Sequence, residues 1–306
     1  MINNVNKIDI LCIGETLIDL IGHETNAAIQ DTENYERLLG GSPTNVAFNA
    51  ARLGLTAAIV STVGNDGLGS FVLEELDKAG VITSYSRKAN NKNTSVIMVS
   101  RSTGTPDFIA YRDADCYILP EQLPDSLLEE ARIYHTTCFA LSKKPAQATI
   151  LEKAARAKEL GVQLSIDLNY SEKIWPDTQE ALRVIDAYCS NDPLIKLSED
   201  DAYRLFGETK DEGFILNYFH SRGVNTVCLT KGKNGVVLSN MKDGLIRQEA
   251  LKIENIHDAT GAGDAFWTGY LYTCIKEMEP HESIAFAQKL ASLKLQNITN
   301  WDSIDI

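Results

Sequence analysis

Predicted strands and helices alternate along the second half of this sequence, and the alternation restricts the fold more than any other feature. Short, continuous apolar runs at 133–136, 162–166 and 193–197 are typical of buried strands. The segment 145–160 has the apolar spacing of a helix and is followed by Gly161, a residue that commonly ends helices. Alternation of this kind predicts an α/β fold, in which helices cover both faces of a parallel sheet and ligands bind at the carboxyl ends of the strands.

The segment 257–266, His-Asp-Ala-Thr-Gly-Ala-Gly-Asp-Ala-Phe, is the strongest indication of a functional site. Gly261 and Gly263 leave no side chain in front of the backbone amides, and an apolar run with helical spacing follows them. A helix that begins at about Gly263 would direct its free N–H groups and the positive end of its dipole at this space. Because helix N-termini of this kind bind anions, the amides of Gly261, Ala262 and Gly263 are predicted to hold a phosphate.

Asp264 follows these glycines on the first predicted helical turn. A carboxylate there can be an ordinary partner of the helix dipole. A bound phosphate would repel it, however, so its presence beside a phosphate site suggests a chemical task. The task that we predict is to accept the proton of a hydroxyl group that attacks the phosphoryl group.

Length, charge and missing motifs exclude several other classes of protein. The 306 residues suffice for one large α/β domain with a small appendage, and the net charge of −13 argues against binding a nucleic-acid backbone. No apolar run is long enough to cross a membrane, and residues 1–6 lack the features of a secretory signal. Six scattered cysteines without a Cys-x-x-Cys pair indicate free thiols in the reducing cytoplasm. The P-loop pattern and the dinucleotide fingerprint are both absent.

Three segments resemble signatures of the PfkB (ribokinase-like) sugar kinases. The segment 257–266 resembles the C-terminal signature Asp-Thr-x-Gly-Ala-Gly-Asp-x-Phe, with Ala259 in place of its first Thr. Residues 40–47, Gly-Gly-Ser-Pro-Thr-Asn-Val-Ala, resemble the N-terminal signature Gly-Gly-x-x-x-Asn-x-Ala. Residues 14–19 resemble the family's Gly-Glu-x-x-x-Asp start. The resemblance extends over nearly the whole chain and is nearest to the fructokinases.

The resemblance implies a fold and an activity together. The fold is a ribokinase-like three-layer α/β/α sandwich over 1–306, with a mostly parallel sheet and a small β lid inserted at about 20–39 and 94–111. The activity is transfer of the γ-phosphate of ATP, with Mg²⁺, to a hydroxyl of a monosaccharide. A 2-keto-3-deoxygluconate kinase, a ribokinase or nucleoside kinase, and a sugar sensor without catalysis are the alternatives. The expected partners are the sugar and ATP, without nucleic acid or membrane, and a homodimer formed through the lid.

The resemblance also assigns residues to the sugar. They are Asp19, Gly40, Gly41, Asn45, Arg112, Asp167 and Asn169. Arg112 resembles an Arg that reaches the substrate in fructokinases and 2-keto-3-deoxygluconate kinases, and it would favour an acidic or keto-bearing substrate. Ser171 stands where these kinases carry a further Arg, so the identity of the sugar stays open. Loop or capping roles are the alternative for Asp19, Asp167 and Asn169.

A second set of residues is implied for the nucleotide and its metal. It comprises Lys196, Ser198, Thr230, Gly232, Gly235, Gly261 and Gly263 for ATP, and Asp201 for Mg²⁺ through water. The segment 230–235 resembles the family's Thr-x-Gly-x-x-Gly loop, and its Asn-Gly pair also predicts a hairpin turn. Ser198 and Asp201 fall on the family's Asn-x-x-Glu, but they fit a helix N-cap with an acidic first turn equally well. Residues 294–298 replace a small-residue loop that can border a monovalent-cation site in the family, which leaves a need for K⁺ open.

Overall fold

The structure, a computed structural model, describes residues 7–101, 107–253, 256, 259–298 and 301. Within them, strands and helices follow each other in the order that an α/β fold requires. The strands are β1 (Ile8–Ile13), β2 (Leu17–Thr25), β3 (Tyr35–Gly40), β4 (Ala57–Val60), β5 (Thr62–Gly64), β6 (Arg87–Ala89), β7 (Val96–Arg101), β8 (Phe108–Tyr111), β9 (Ala131–Thr137), β10 (Gln163–Asp167), β11 (Leu194–Ser198), β12 (Thr226–Thr230), β13 (Val236–Asn240) and β14 (Gly244–Gln248). The α-helices are α1 (Ser42–Arg52), α2 (Gly67–Lys78), α3 (Asp125–Glu129), α4 (Ala146–Glu159), α5 (Thr178–Cys189), α6 (Glu199–Phe206), α7 (Glu212–His220), α8 (Ala262–Ile275) and α9 (Pro280–Leu295).

The central sheet contains eight strands in the order β14-β13-β12-β11-β10-β9-β1-β4. The six strands from β12 to β4 are parallel, whereas β13 and β14 are antiparallel additions at one edge. The parallel strands are buried along most of their length, and all four residues of β4 are buried. Strands covered on both faces carry continuous apolar runs, which is why the sequence pattern identified them.

Helices cover both faces of this sheet, and each face has its own hydrophobic core. On one face, α4, α5 and α7 contribute Ile150, Ile185 and Phe219 to the core. On the other face, α1 and α8 contribute Val46 and Trp267, and α2 and α9 pack beside them. The predicted three-layer α/β/α sandwich is therefore confirmed. In the part of the chain that the structure describes, every helix is too short or too polar to span a bilayer.

A separate four-stranded sheet, which we call the small sheet, has the order β3-β2-β7-β8. Its strands come from the two segments where the sequence predicted lid insertions. β2 pairs antiparallel with β3 and parallel with β7, and β7 pairs antiparallel with β8. The first pair of strands spans Leu17 to Gly40 and so extends slightly beyond the predicted 20–39. Residues 102–106, between β7 and β8, lie outside the described residues.

The apolar run at 57–63 has the pattern of a single buried strand, yet it forms two strands in different sheets. β4 ends at Val60, and β5 pairs in parallel with β6 away from the central sheet. The change occurs at Ser61, whose amide donates to the Ser86 hydroxyl and whose carbonyl accepts from the Arg87 amide. Both strands are fully buried, so the apolar pattern continues through the break and does not reveal it.

Candidate active site

The N-termini of α1 and α8 face each other and bring two distant sequence segments together. Asp264, in the first turn of α8, accepts hydrogen bonds on both carboxylate oxygens. The Ser42 hydroxyl donates to Oδ1 over 2.7 Å, and the Asn45 side-chain amide donates to Oδ2 over 2.7 Å. Both donors are neutral, so they orient the carboxylate without pairing it with a cation. Ser42 was not among the predicted site residues, because from the sequence it marks only the start of a helix.

The start of α8 is shaped by its glycines. Gly261 caps the helix in the left-handed conformation, with φ of +74°, which favours glycine. The Ala262 amide donates to the Ala259 carbonyl over 3.2 Å, so it is not one of the free donors that the sequence predicted. The amides of Gly261 and Gly263 have no acceptor among the described residues. Residues 257 and 258, the first two of the predicted motif, lie outside the described residues.

Lys196, in the middle of β11, lies directly beneath the first turn of α8. Its ammonium forms a buried ion pair with Asp167, with 2.7 Å between Nζ and Oδ2. A β-carbon on Gly263 would come within 3.0 Å of that Nζ, so glycine permits this close approach. Burial alone would lower the pKa of Lys196, but the neighbouring carboxylates, that of Asp167 first, raise it above its ordinary value. Burial raises the pKa of Asp167 to about 6 against the opposing effect of the Lys196 ammonium.

Asp19, on β2 of the small sheet, lies near Asp264. Burial raises the pKa of Asp19 to about 7, and the Asp264 carboxylate adds to the rise. A β-carbon on Gly40 would lie 2.5 Å from Cγ of Asp19, so glycine lets β3 pass the carboxylate. Gly41 has φ of +101°, and its β-carbon would lie 2.3 Å from the carbonyl oxygen of Glu15. The paired glycines therefore shape the wall beside Asp19.

Glu15 is a buried carboxyl group behind the start of α1, and it was not among the predicted site residues. Its Oε2 accepts from the Thr137 hydroxyl over 2.8 Å, and its Oε1 accepts from the Ser42 amide over 3.2 Å. Burial raises the pKa of Glu15 to about 8. Glu15 thereby fixes Ser42, which in turn holds Asp264. Its signal in the sequence was the Gly14-Glu15 pair that ends a buried strand.

The raised pKa of Glu15 predicts how stability depends on pH. Because this pKa is above the ordinary value of 4.5 for a glutamate side chain, protonation of Glu15 favours the folded state. That stabilisation is complete at low pH and is lost as the pH rises towards about 8. We expect Glu15→Gln, which cannot ionise, to lose less unfolding free energy than the wild type between about pH 5.5 and about pH 7.5. Urea unfolding of both proteins at the two pH values measures this, and an equal pH dependence would contradict it.

The guanidinium of Arg112 is enclosed by protein groups. Its Nη2 lies 2.6 Å from Oδ2 of Asp115, and its Nη1 donates to the Phe139 carbonyl and the Ser142 hydroxyl. The guanidinium carbon also lies 4.0 Å from the centre of the Phe139 ring. Only 2% of the side chain is exposed. In this conformation the charge of Arg112 is paired with Asp115 and almost fully buried, and the predicted substrate contact stays a prediction.

Ser198 and Asp201 form the N-terminal cap of α6. The Ser198 amide and hydroxyl donate to Oδ2 of Asp201 over 2.8 and 2.7 Å, and the Asp201 amide donates to the Ser198 hydroxyl. The other oxygen, Oδ1, lies 3.7 Å from Arg204. No group of three or more His, Cys, Asp or Glu side chains suited to a metal occurs within the described ranges. Because these contacts occupy the Asp201 carboxylate, it is suited to contact a Mg²⁺ ion through a bridging water molecule rather than as a direct ligand.

The turn after β12 forms the predicted hairpin with β13, but through the longer connection 231–235 rather than a two-residue Asn-Gly turn. Gly232 and Gly235 have φ of +52° and +93°, and a β-carbon on Gly235 would lie 2.1 Å from the Gln248 carbonyl oxygen. The Thr230 hydroxyl donates to the Leu197 carbonyl over 3.4 Å. Close approach of the backbone explains Gly235, and a positive φ explains Gly232, whereas a role of the turn towards the nucleotide stays a prediction.

A cavity of about 800 Å³ lies on the opposite face of the small sheet from Asp19. Arg37 and Val96 line it, together with the start of α2. The strand register explains the separation. Val96 pairs with Ile18, the neighbour of Asp19, and successive side chains of a strand point to opposite faces. The cavity is therefore not the space in front of Asp264.

Asn169, the last of the predicted sugar residues, follows β10 beside Asp167. Its backbone amide donates a hydrogen bond to Oδ1 of Asp167 over 3.2 Å. Its side-chain oxygen is buried and has no donor among the residues described. Asn169 therefore retains an acceptor that a ligand could use.

Proteins of known sequence and structure are similar to this chain over most of its length. The chain matches the profile described as pfkB family carbohydrate kinase over residues 7–302. It is 35% identical to an ATP-dependent 6-phosphofructokinase of Thermoanaerobacterium thermosaccharolyticum, over 95% of this chain and 89% of that protein. The fructokinase structure of Halothermothrix orenii gives a TM-score of 0.82 at 31% identity and covers 93% of this chain and 98% of its own. A sugar kinase of Pyrococcus horikoshii in complex with ATP gives a TM-score of 0.82 at 27% identity, with 94% and 92% covered.

Proposed function

Because this chain belongs to the PfkB family of carbohydrate kinases and is an ATP-dependent sugar kinase, we propose that it phosphorylates fructose with Asp264 as the general base. The acceptor is supported by the 31% identity to a fructokinase over 93% of this chain. The observation that carries the proposal is the position of the Asp264 carboxylate. Ser42 and Asn45 hold it in front of the first turn of α8, beside the amides of Gly261 and Gly263, which have no acceptor among the described residues.

The proposed reaction moves one proton and one phosphoryl group. Asp264 takes the proton of the attacking hydroxyl while the hydroxyl oxygen forms a bond to the γ-phosphorus of ATP. The bond from that phosphorus to the bridging oxygen breaks, and ADP leaves. The amides of Gly261 and Gly263 would face the charge on the transferring group, where preorganised donors contribute most. Mg²⁺ on the phosphates would screen their charge when bound, and Asp201 would contact it through water.

The proposed sugar site lies between the small sheet and the carboxyl ends of the central strands. Asp19 and Asn45 would bind hydroxyl groups, and the backbone at Gly40 and Gly41 would lie against the sugar because no side chain intervenes. Asn169 would use its side-chain oxygen, which has no donor among the described residues, as an acceptor. Closure of the small sheet over the sugar would exclude water, which otherwise competes as the phosphoryl acceptor.

The test of this function is a panel of acceptors with ATP and Mg²⁺, read by ADP release. The panel contains fructose, fructose 6-phosphate, ribose, 2-keto-3-deoxygluconate and nucleosides, and we expect the highest kcat/KM with fructose. Fructose 6-phosphate is the second candidate, since the chain is 35% identical to a 6-phosphofructokinase. If the enzyme phosphorylated a nucleoside but neither fructose nor fructose 6-phosphate, the proposal would be contradicted.

Asp19→Ala should raise the KM for the sugar by about 10- to 100-fold, because a hydrogen bond to a charged group contributes roughly 1.5–3 kcal/mol. The KM for ATP should stay within about two-fold, since Asp19 acts only on the acceptor. Asp31→Ala removes an exposed acid from the same insertion and serves as the matched control. Steady-state kinetics with each substrate varied in turn measures both constants. An equal rise of both KM values would show that Asp19 supports the fold rather than the sugar.

We further propose that the protein acts in the cytoplasm as a homodimer paired through the small sheet. All six cysteines are free, and five of them are buried, as is usual in a reducing compartment. β8 is an outer strand of the small sheet and carries the exposed side chains of Ile109 and Tyr111. Outer strands have unpaired backbone groups that can pair with another strand.

A further inference from the structure

Lys294, on α9, reaches the space in front of the first turn of α8. A β-carbon placed on Gly261 would lie 3.2 Å from Cε of Lys294, 3.9 Å from Nδ2 of Asn45 and 4.0 Å from Oδ2 of Asp264. The three groups therefore converge on one point that stays open because Gly261 has no side chain. Since Asp264 is the proposed base, the end of the Lys294 side chain lies where the phosphoryl group would pass to the acceptor.

A positive charge would stabilise a phosphate at Gly261, and two lysines on or directly after the adjacent strands β11 and β12 are already paired with carboxylates. Lys196, beneath the same helical turn, is paired with Asp167 at 2.7 Å. Lys231, in the turn after β12, lies 3.4 Å from a carboxylate oxygen of Glu212. Lys294 forms no ion pair with any carboxylate in the described part of the chain. Among the described residues, its charge is therefore available near Gly261 to an incoming phosphate.

We propose that the Lys294 ammonium binds the γ-phosphoryl group of ATP at Gly261 and stabilises its charge during transfer. The proposal rests on the proposed function, in which the start of α8 holds that group. A lysine suits the task because it is a compact point charge on a flexible stem and can follow a group that moves from donor to acceptor. A positive charge supplied here by the chain also makes a bound monovalent cation unnecessary.

Lys294→Met tests the proposal, because methionine keeps an apolar stem against Gly261 and removes the charge. We expect kcat to fall by about 10- to 100-fold, as for loss of a hydrogen bond to a charged group. The affinity for ATP should fall, while that for ADP, which lacks the γ-phosphate, should stay within about two-fold. Titration calorimetry with ATP·Mg²⁺ and ADP·Mg²⁺ needs no sugar. Its result is therefore separate from the identity of the acceptor, and Lys294→Arg should retain most of the ATP affinity.

Lys242→Met is the matched control, since it removes one exposed positive charge from the turn between β13 and β14. It should leave kcat and both affinities unchanged. If Lys294→Met also kept wild-type kcat and ATP affinity, Lys294 would only pack its stem against Gly261, and the proposal would be overturned. Equal weakening of ATP and ADP would overturn the assignment to the γ-phosphate. If the wild-type enzyme were active in KCl but inactive in choline chloride, it would need a bound monovalent cation. That result would overturn the statement that Lys294 makes such a cation unnecessary.

Discussion

Asp264→Asn should lower kcat by about 10²- to 10⁴-fold, the usual contribution of general-base catalysis. The substitution keeps the shape of the site while removing the proton acceptor. Its side-chain oxygen can still accept from the Asn45 amide, and its new amide group can donate to the Ser42 hydroxyl, which accepts as well as donates. The affinities for ATP and for the sugar should therefore stay close to those of the wild type. Steady-state kinetics and titration calorimetry measure these quantities separately.

Ser42→Ala is the informative companion to this variant. It retains the base and removes one of the two bonds that orient it, so kcat should fall by about 10-fold at most, as for one ordinary hydrogen bond. A single-turnover experiment shows whether the chemical step is the one that slows. If Asp264→Asn retained a near-wild-type kcat, the base would have to be another carboxylate of the site, such as Asp19 or Asp167.

The parts of this site that the sequence predicted are those whose chemistry is local. Gly261 and Gly263 are three and one residues before Asp264, and their effect on the start of a helix depends only on their neighbours. The buried strands were recognisable for the same reason, because a parallel strand covered on both faces is apolar along its length. The α/β/α order then followed from the alternation of strands with helices.

The parts that the sequence did not reveal are contacts between distant residues. Ser42 and Asp264 are 222 positions apart, and Thr137 and Glu15 are 122 apart, so no local pattern pairs them. The same limit applies to Arg112. The sequence placed it at the end of a strand, but only the packing of Phe139 and its neighbours shows that its charge is enclosed.

The Ala262 amide illustrates a finer limit. A glycine-rich helix start predicts several free amides, yet the turn that precedes the helix uses one of them for the Ala259 carbonyl. Which amide is used depends on the torsions of the turn, and a glycine allows too many of these for the sequence to decide.

Lys196→Met should lower the free energy of unfolding by about 3–5 kcal/mol at neutral pH, because it leaves the Asp167 carboxylate buried without its cation. Only 7% and 2% of the two side chains are exposed, so water cannot replace the lost partner. Adding Asp167→Asn removes the unpaired charge and should restore most of the stability, which urea unfolding measures.

The loss of unfolding free energy in the single variant Lys196→Met should be larger at about pH 8 than at about pH 5.5. Burial already raises the pKa of Asp167 to about 6, and its protonated form needs no cation. A double variant no more stable than Lys196→Met would show that the lysine stabilises the fold by packing and not through the ion pair.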